Sequence, residues 1–308
     1  MAQVSILARG HMWAVVSKPG GMLCHHSVYT RSAKHSKTRT FLQHARDALG
    51  ARINLIHRLD RAASGAILCS VDEWKHNRSK SLTNDDFAEI ENKATSCANL
   101  AAVTAQLQCS LARGSKTYMA WCRGDGALLA ALGSGDVDKY RTPDGAWHSV
   151  QRIRAETEGK HDWFTVSRPI RNEKGILSDA STAFRLLSSD RRRDTKSEQH
   201  SSCIVLARPI SGRWHQIRRH LNGLSHPIIG DVDHGDYRVN HLWVRKRGFP
   251  SARIGLHLHN LKLPSTDFTP AITVSVPLAH DLNDVMSREL PSDVLKAIDV
   301  ALPVLRQQ

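Results

Sequence analysis

The sequence predicts an α+β fold built on a mixed sheet. Three observations point there. Short apolar runs of strand length outnumber helical stretches. The two kinds alternate irregularly along the chain, which favours segregated helices and strands. No internal repeat or clear linker divides the 308 residues, so one elaborated domain over residues 1–290 with a C-terminal tail, 291–308, is expected.

The first segment reads strand, turn, strand. Met12–Val16 is apolar, Lys18-Pro19-Gly20-Gly21 is a turn signal, and Met22-Leu23-Cys24 resumes an extended run. Tyr29–Thr40 is basic and rich in Ser, Thr and Lys, the composition of a loop. Phe41, Leu42, Ala45, Ala48 and Leu49 share one helical face. Ile53–Ile56 reads as a strand entering His57-Arg58-Leu59-Asp60-Arg61, Ala62–Gly65 as a turn, and Ala66–Cys69 as a second buried strand.

Asp72–Ser96 is polar and charged with little apolar period, whereas Cys97–Leu111 predicts a helix and Lys116–Cys122 a strand. Pro143–Trp163 is polar and turn-rich. Ala183–Leu187 and Cys203–Leu206 are strands, separated by Ser188–Ser202, which carries Arg191-Arg192-Arg193 and reads as a solvated hairpin loop or insertion. Arg213–Leu224 predicts a helix opened by Ser211-Gly212. Leu256–Leu263 and Ala271–Val276 are late strands, and Asp281–Val300 is a weakly amphipathic tail.

Lys and Arg exceed Asp and Glu by 14. A surplus of that size favours a polyanionic partner, because each neutralised phosphate releases counterions. No apolar run approaches the roughly 20 residues that span a bilayer, and Met1–Arg9 lacks the apolar core of a signal peptide. A cytoplasmic location is the default, with an organelle or the nucleus left open. The six cysteines form no C-x-x-C pair, H-E-x-x-H is absent, and the histidines are scattered, so free thiols and no metal site are expected. Cys69 and Cys122 lie in apolar runs and read as core.

Four segments carry possible chemistry. In His57–Arg61 one carboxylate stands between two arginines at a strand-to-turn junction. A neighbouring guanidinium keeps a carboxylate ionised even when substrate excludes water, which suits a nucleophile or base; a capping Asp in a charged turn is the plainer alternative. Ser211–His220 is dense in side-chain donors and follows a glycine that permits close backbone approach; a basic solvated helix face would look the same. Tyr118 in Lys116-Thr117-Tyr118 packs in a core or stacks on a base. Ser225–Asp231 reads as scaffold.

Taken together, the ordered set resembles the RluA-type pseudouridine synthases. That family is marked by H-R-L-D with a following S-G, by K-x-Y, by G-R-x-H-Q-[IL]-R and by H-P-I-x-G-D. Here they stand at His57–Gly65, Lys116–Tyr118, Gly212–His220 and His226–Gly235, with Lys18–Gly21 similar to the family's early K-P-x-G turn. The match runs in pieces from about Trp13 to Leu278. Within the family the resemblance is nearest to the bacterial tRNA pseudouridine synthase C group, on Leu23–Ser27, the double Arg218-Arg219, and His234 in place of the usual Tyr.

The resemblance implies a mainly antiparallel central sheet with flanking helices and loops. It implies isomerisation of a uridine in RNA, most readily tRNA, by a monomer with no cofactor. Asp60 matches the catalytic aspartate and Arg58 the arginine that displaces the target base. Tyr118 matches the aromatic residue on the flipped uracil, Ile217 the apolar residue packing on it, and Arg218 the arginine paired with the catalytic carboxylate. Ala63 departs from the usual Thr, and Leu263-Pro264 from a common His-Pro; neither removes a proposed catalytic group. Residues 72–96 and 188–202 look like insertions relative to the compact bacterial enzymes, and no S4-type domain is expected ahead of the catalytic pattern. Ribosomal or other RNA as substrate, or a non-catalytic RNA-binding protein on the same scaffold, are the alternatives.

Overall fold

The computed structural model describes residues 4–26, 38–72, 86–153, 163–172, 174–190 and 201–306, with the backbone alone for 86–99 and 153. The chain divides into two compact units, residues 1–115 with 260–276, and residues 116–259 with 277–308.

In the first unit, β1 (Ser5–Gly10), β2 (Trp13–Lys18), β3 (Arg52–Leu55) and β4 (Ser64–Asp72) form antiparallel pairs. β4 is buried along its whole length; β2 pairs with it over Gly65–Ser70 and β3 over Cys69–Asp72. Helix α1 (Phe41–Leu49) buries Phe41, Ala45 and Leu49 of the face read from the sequence, with Leu42 partly buried and Ala48 exposed. It begins at Thr40, whose N–H donates to Gln43 Oε1 at 2.7 Å, and ends at Gly50 in the left-handed region, φ 63°.

Helix α2 (Asp86–Arg113) is longer than the expected Cys97–Leu111 and begins inside the polar segment 72–96. Backbone hydrogen bonding extends a helix beyond the stretch whose apolar period betrays it. Its buried Leu100, Val103, Leu107 and Leu111 keep the 3–4 spacing, and Thr104 Oγ1 lies 2.7 Å from Ser70 Oγ of β4.

The second unit is an antiparallel sheet in the order β5-β12-β11-β8-β7-β6. Its strands are β5 (Ser115–Arg123), β6 (Lys139–Arg141), β7 (Trp147–Ile153), β8 (Trp163–Ser167), β11 (Ser181–Asp190) and β12 (Ser202–Pro209). A small hairpin of β9 (Ile170–Arg171) and β10 (Leu177–Ser178) stands apart from it. β7 falls in, and β6 beside, a stretch read only as turn-rich, because backbone pairing between strands needs no apolar face. Likewise Ser188–Asp190 are not loop: they pair with Ile204, Cys203 and Ser202 after a register shift near Leu187. The Arg191–Arg193 run lies outside the described residues.

Two helices were not foreseen, α3 (Ala127–Ser134) and α5 (Tyr237–Arg247). Between them α4 (Gln216–Gly223) starts three residues later than expected. The late strands β13 (Leu256–Leu263) and β14 (Ile272–Ser275) fall close to their expected places.

The segment read as a weak tail forms α6 (His280–Glu289) and α7 (Ser292–Ala301), broken at Leu290-Pro291. Leu282, Val285, Met286, Val294, Ile298, Leu302 and Leu305 lie in the second unit's core with Met119, Trp121, Trp243 and Phe249. Trp121 meets Trp243 edge to face at 5.1 Å. Residues past 290 therefore contribute packed core.

Candidate active site

Asp60 sits in the loop between β3 and β4, half-buried, with Arg58 exposed two residues earlier. The loop carbonyls of Leu59, Asp60, Arg61 and Ala63 each accept a hydrogen bond. Lys18 ends β2 opposite Gly65 and is fully buried. Its Nζ donates to the carbonyls of Ala63 at 2.6 Å, Pro19 at 2.9 Å and Arg61 at 3.1 Å.

Three carbonyl acceptors satisfy an ammonium that would otherwise be costly to bury. On the other side of Asp60, Cys24 Sγ donates to Leu59 O at 3.2 Å. Burial pushes the Cys24 thiol up, which keeps it a donor; the Leu59 carbonyl, as its hydrogen-bond partner, is the next influence. Arg61 Nε reaches back to Gly21 O at 3.1 Å. The Leu68 N–H donates to His57 Nε2 at 3.2 Å, and Ala63 N closes a turn on Asp60 O at 3.1 Å.

The K-P-G-G turn and Cys24 are thus part of the scaffold that fixes Asp60. Sequence reading assigned neither that role. The available signal was a lysine at the end of an apolar strand, immediately before a Pro-Gly turn.

Tyr118, Ile217 and Arg218 belong to the second unit, and all three are buried. Tyr118 lies on β5 opposite Ala207. The loop before α4 runs through His215 in the left-handed region, φ 52°, which explains the late helix start. Gln216 then uses both ends of its amide. Its Oε1 accepts from Ser211 Oγ at 2.7 Å and Arg213 N at 3.0 Å, while Nε2 donates to Ser181 O at 2.8 Å and Thr182 Oγ1 at 2.9 Å.

Arg218 is 4% exposed. Its Nε and one Nη donate to the two carboxylate oxygens of Asp231, each at 2.7 Å, and that Nη also meets Asp233 Oδ2 at 2.6 Å. A bidentate pair fixes the guanidinium plane as a single contact would not. Burial alone would raise the Asp231 carboxyl, but the Arg218 hydrogen bonds and charge outweigh it and hold the group below the usual carboxylate range.

Asp231 is itself built in. Oδ1 accepts from the backbone of Asp233 and His234, each at 3.1 Å, and its carbonyl accepts from Asn240 Nδ2 at 2.7 Å. The H-P-I-I-G-D segment, read as scaffold, is scaffold of a specific kind: it orients Arg218.

Around these groups the histidines are structural. His220 sits between Thr182 Oγ1 at 2.9 Å and Arg168 O at 3.0 Å, and burial pulls its pKa down to about 4. His215 stacks on Trp214 at 4.2 Å and meets His234 Nε2 through Nδ1 at 2.9 Å. Among the described residues no group of three His, Cys, Asp or Glu side chains could hold a metal ion. No helix among them is long and apolar enough to cross a membrane.

A sequence profile of the family described as RNA pseudouridylate synthase matches residues 12–85, the stretch that holds Lys18, Cys24 and the Asp60 loop. Over that stretch the chain is similar to that family. A tRNA pseudouridine synthase C of Vibrio parahaemolyticus is 26% identical over 260 residues, 84% of each chain. One of Vibrio vulnificus is 25% identical over 302 residues, 96% of this chain and 99% of its own. The structure of human RNA Pseudouridylate Synthase Domain Containing 1 superposes with a TM-score of 0.53 at 20% identity, covering 100% of this chain and 97% of that one. The α+β architecture with antiparallel sheets is therefore that of a pseudouridylate synthase domain.

Proposed function

We propose that this protein is an RNA pseudouridine synthase that isomerises a specific uridine in tRNA, with Asp60 as its catalytic carboxylate. The observation that carries the reading is the H-R-L-D loop, anchored on both sides of Asp60, in a chain similar to tRNA pseudouridine synthase C along most of its length. A carboxylate on so constrained a backbone is pre-organised, which is what catalysis by positioning requires.

The reaction breaks the N1–C1′ bond, turns the uracil and joins C5 to C1′. The C5 hydrogen leaves as a proton and N1 ends protonated, so nothing is oxidised and no group is gained. Asp60 either attacks C1′ or takes a proton from C2′ to give a glycal; both routes return the carboxylate. The base must first leave its stack, at a cost of a few kcal/mol. Arg58, exposed beside Asp60, is assigned to base displacement. By the family resemblance Tyr118, Ile217 and Arg218 are assigned to the substrate-binding set. The net charge of +14 supplies affinity for the RNA backbone.

The test is tritium release from transcripts labelled at uridine C5. Wild-type protein is expected to release label from unmodified tRNA, and Asp60→Asn to release none. Release from ribosomal RNA alone would overturn the tRNA assignment, and equal release by Asp60→Asn would overturn the role of Asp60.

A further inference from the structure

Helix α5 has a face that the catalytic reading does not use. Val239, Asn240 and Trp243 are buried, while Tyr237, Arg238, Leu242, Arg245 and Lys246 are exposed. Tyr237 is 68% exposed and stacks on His241 one turn later, centroids 5.9 Å apart. Arg245 follows at the next i+4 position, so an aromatic pair and a cation form one stripe with Arg238 and Lys246 beside it.

Helix stability accounts for only part of this. The last-turn cations suit the negative end of the helix dipole, but Arg238 stands in the first turn, where the dipole opposes a cation. Arg247 is set apart, paired with Glu289 and stacked over Trp243. The nearby acids are engaged: Asp236 caps the helix through Arg238 N and Val239 N, and Asp233 meets Arg218. The face is thus net cationic with an exposed stacking ring.

We infer that this face of α5 is an RNA-anchoring surface, where Arg238, Arg245 and Lys246 contact phosphates and Tyr237 stacks on an unpaired base of the substrate. Charge complementarity selects the occupant, since a polyanion with free π-faces matches both features. The inference rests on the proposed function for the identity of the RNA. Asn240 ties the surface to the machinery within its unit: its side chain bonds Gly230 N at 3.0 Å and Asp231 O at 2.7 Å, and Asp231 holds Arg218. Helix α5 is therefore joined to that arginine by two hydrogen-bonded steps, Asn240 to Asp231 and Asp231 to Arg218.

The test measures binding of an unmodified tRNA transcript to the full-length protein by fluorescence anisotropy across a salt series. Tyr237→Ala is expected to weaken binding about tenfold, and Tyr237→Phe to bind as wild type. The pair Arg245→Gln and Lys246→Gln should flatten the log–log salt dependence by about one unit per cation removed. In turnover these changes raise KM and leave kcat unchanged. In the unaltered protein, hydroxyl-radical footprinting should show Tyr237 protected by tRNA.

Unchanged affinity and salt slope in all variants, or unprotected Tyr237 in the complex, would overturn the proposal. Its failure is separable from that of the synthase reading. Binding through this face without tritium release leaves the surface standing and removes the activity. Tritium release with unaffected α5 variants does the reverse.

Discussion

Lys18 Nζ lies 2.6 Å from the carbonyl oxygen of Ala63, so a fully buried ammonium at the end of one strand grips the chain three residues past Asp60. Lys18→Met keeps most of the volume and removes the donors to Pro19, Arg61 and Ala63. Carbonyls left without a partner cost about 1–3 kcal/mol. Urea denaturation should show that loss. Tritium release should fall further, by about 100-fold, because a small displacement of a catalytic group is enough to do so. Wild-type turnover from Lys18→Met would detach the clamp from catalysis.

The Arg218–Asp231 pair makes a second prediction. Removing Asp231 takes away the buried bidentate partner of Arg218 and leaves Asp233 as a more exposed one, so Asp231→Ala should destabilise the protein by about 3 kcal/mol. Combining Arg218→Met with Asp231→Leu removes both charges and should recover much of that stability, with activity still lost. A double variant no more stable than Asp231→Ala would show that the pair holds more than its own charges.

Stability should fall with pH in a defined window. His220 is lowered from an ordinary value near 6.5 to about 4, by burial first. Its folded-state pKa is depressed, so its neutral form is favoured by folding. That contribution is fully present above about pH 6.5 and is lost as pH falls through about 4, a few kcal/mol in all. His226 and His234 are lowered in the same direction, also by burial first. Asp231, held below the usual carboxylate range, weakens the fold only at still lower pH. Chemical denaturation at pH 7.5, 6 and 5 should show the decline, and His220→Gln should flatten it. A pH-independent midpoint over that range would contradict the burial of these rings.

The C-terminal helices should be indispensable. Ile298 is completely buried, and Ile298→Ala should cost about 2–5 kcal/mol by the cavity it leaves. Cutting the chain after Leu290 would remove Val294, Ile298, Leu302 and Leu305 from the core together. A truncated protein with an unchanged melting temperature would show that this packing contributes nothing.

Much of the first unit was legible in the sequence. The helix at Phe41–Leu49 was legible because a helix with one buried face repeats its apolar residues at that period; Phe41, Ala45 and Leu49 are buried, while Leu42 is only partly buried and Ala48 is exposed. The runs that became β2, β4, β5, β12 and β13 were visible because their strands are buried. Cys69 and Cys122 are core, as their apolar surroundings indicated. Through the family resemblance the motifs single out Asp60, Tyr118, Ile217 and Arg218 as candidate site residues.

Elements that form by backbone pairing alone were harder to read. β7 and the end of β11 carry polar side chains, and hydrogen bonds to a neighbouring strand need no apolar face. α5 and α7 were missed or underrated because their buried sides are narrow, and the sequence does not say which narrow stripe finds a partner.

Sequence alone therefore determined the residue types of the candidate site, the antiparallel α+β class and the cationic character of the chain. Tertiary structure alone decided what holds the site. That Lys18 folds back on Ala63, that Asp231 orients Arg218 and that Asn240 fixes Asp231 are contacts between segments distant or separately placed along the chain. A local pattern records the periodicity of burial within one element. It carries no register between elements, and hydrogen-bond partners are set by that register.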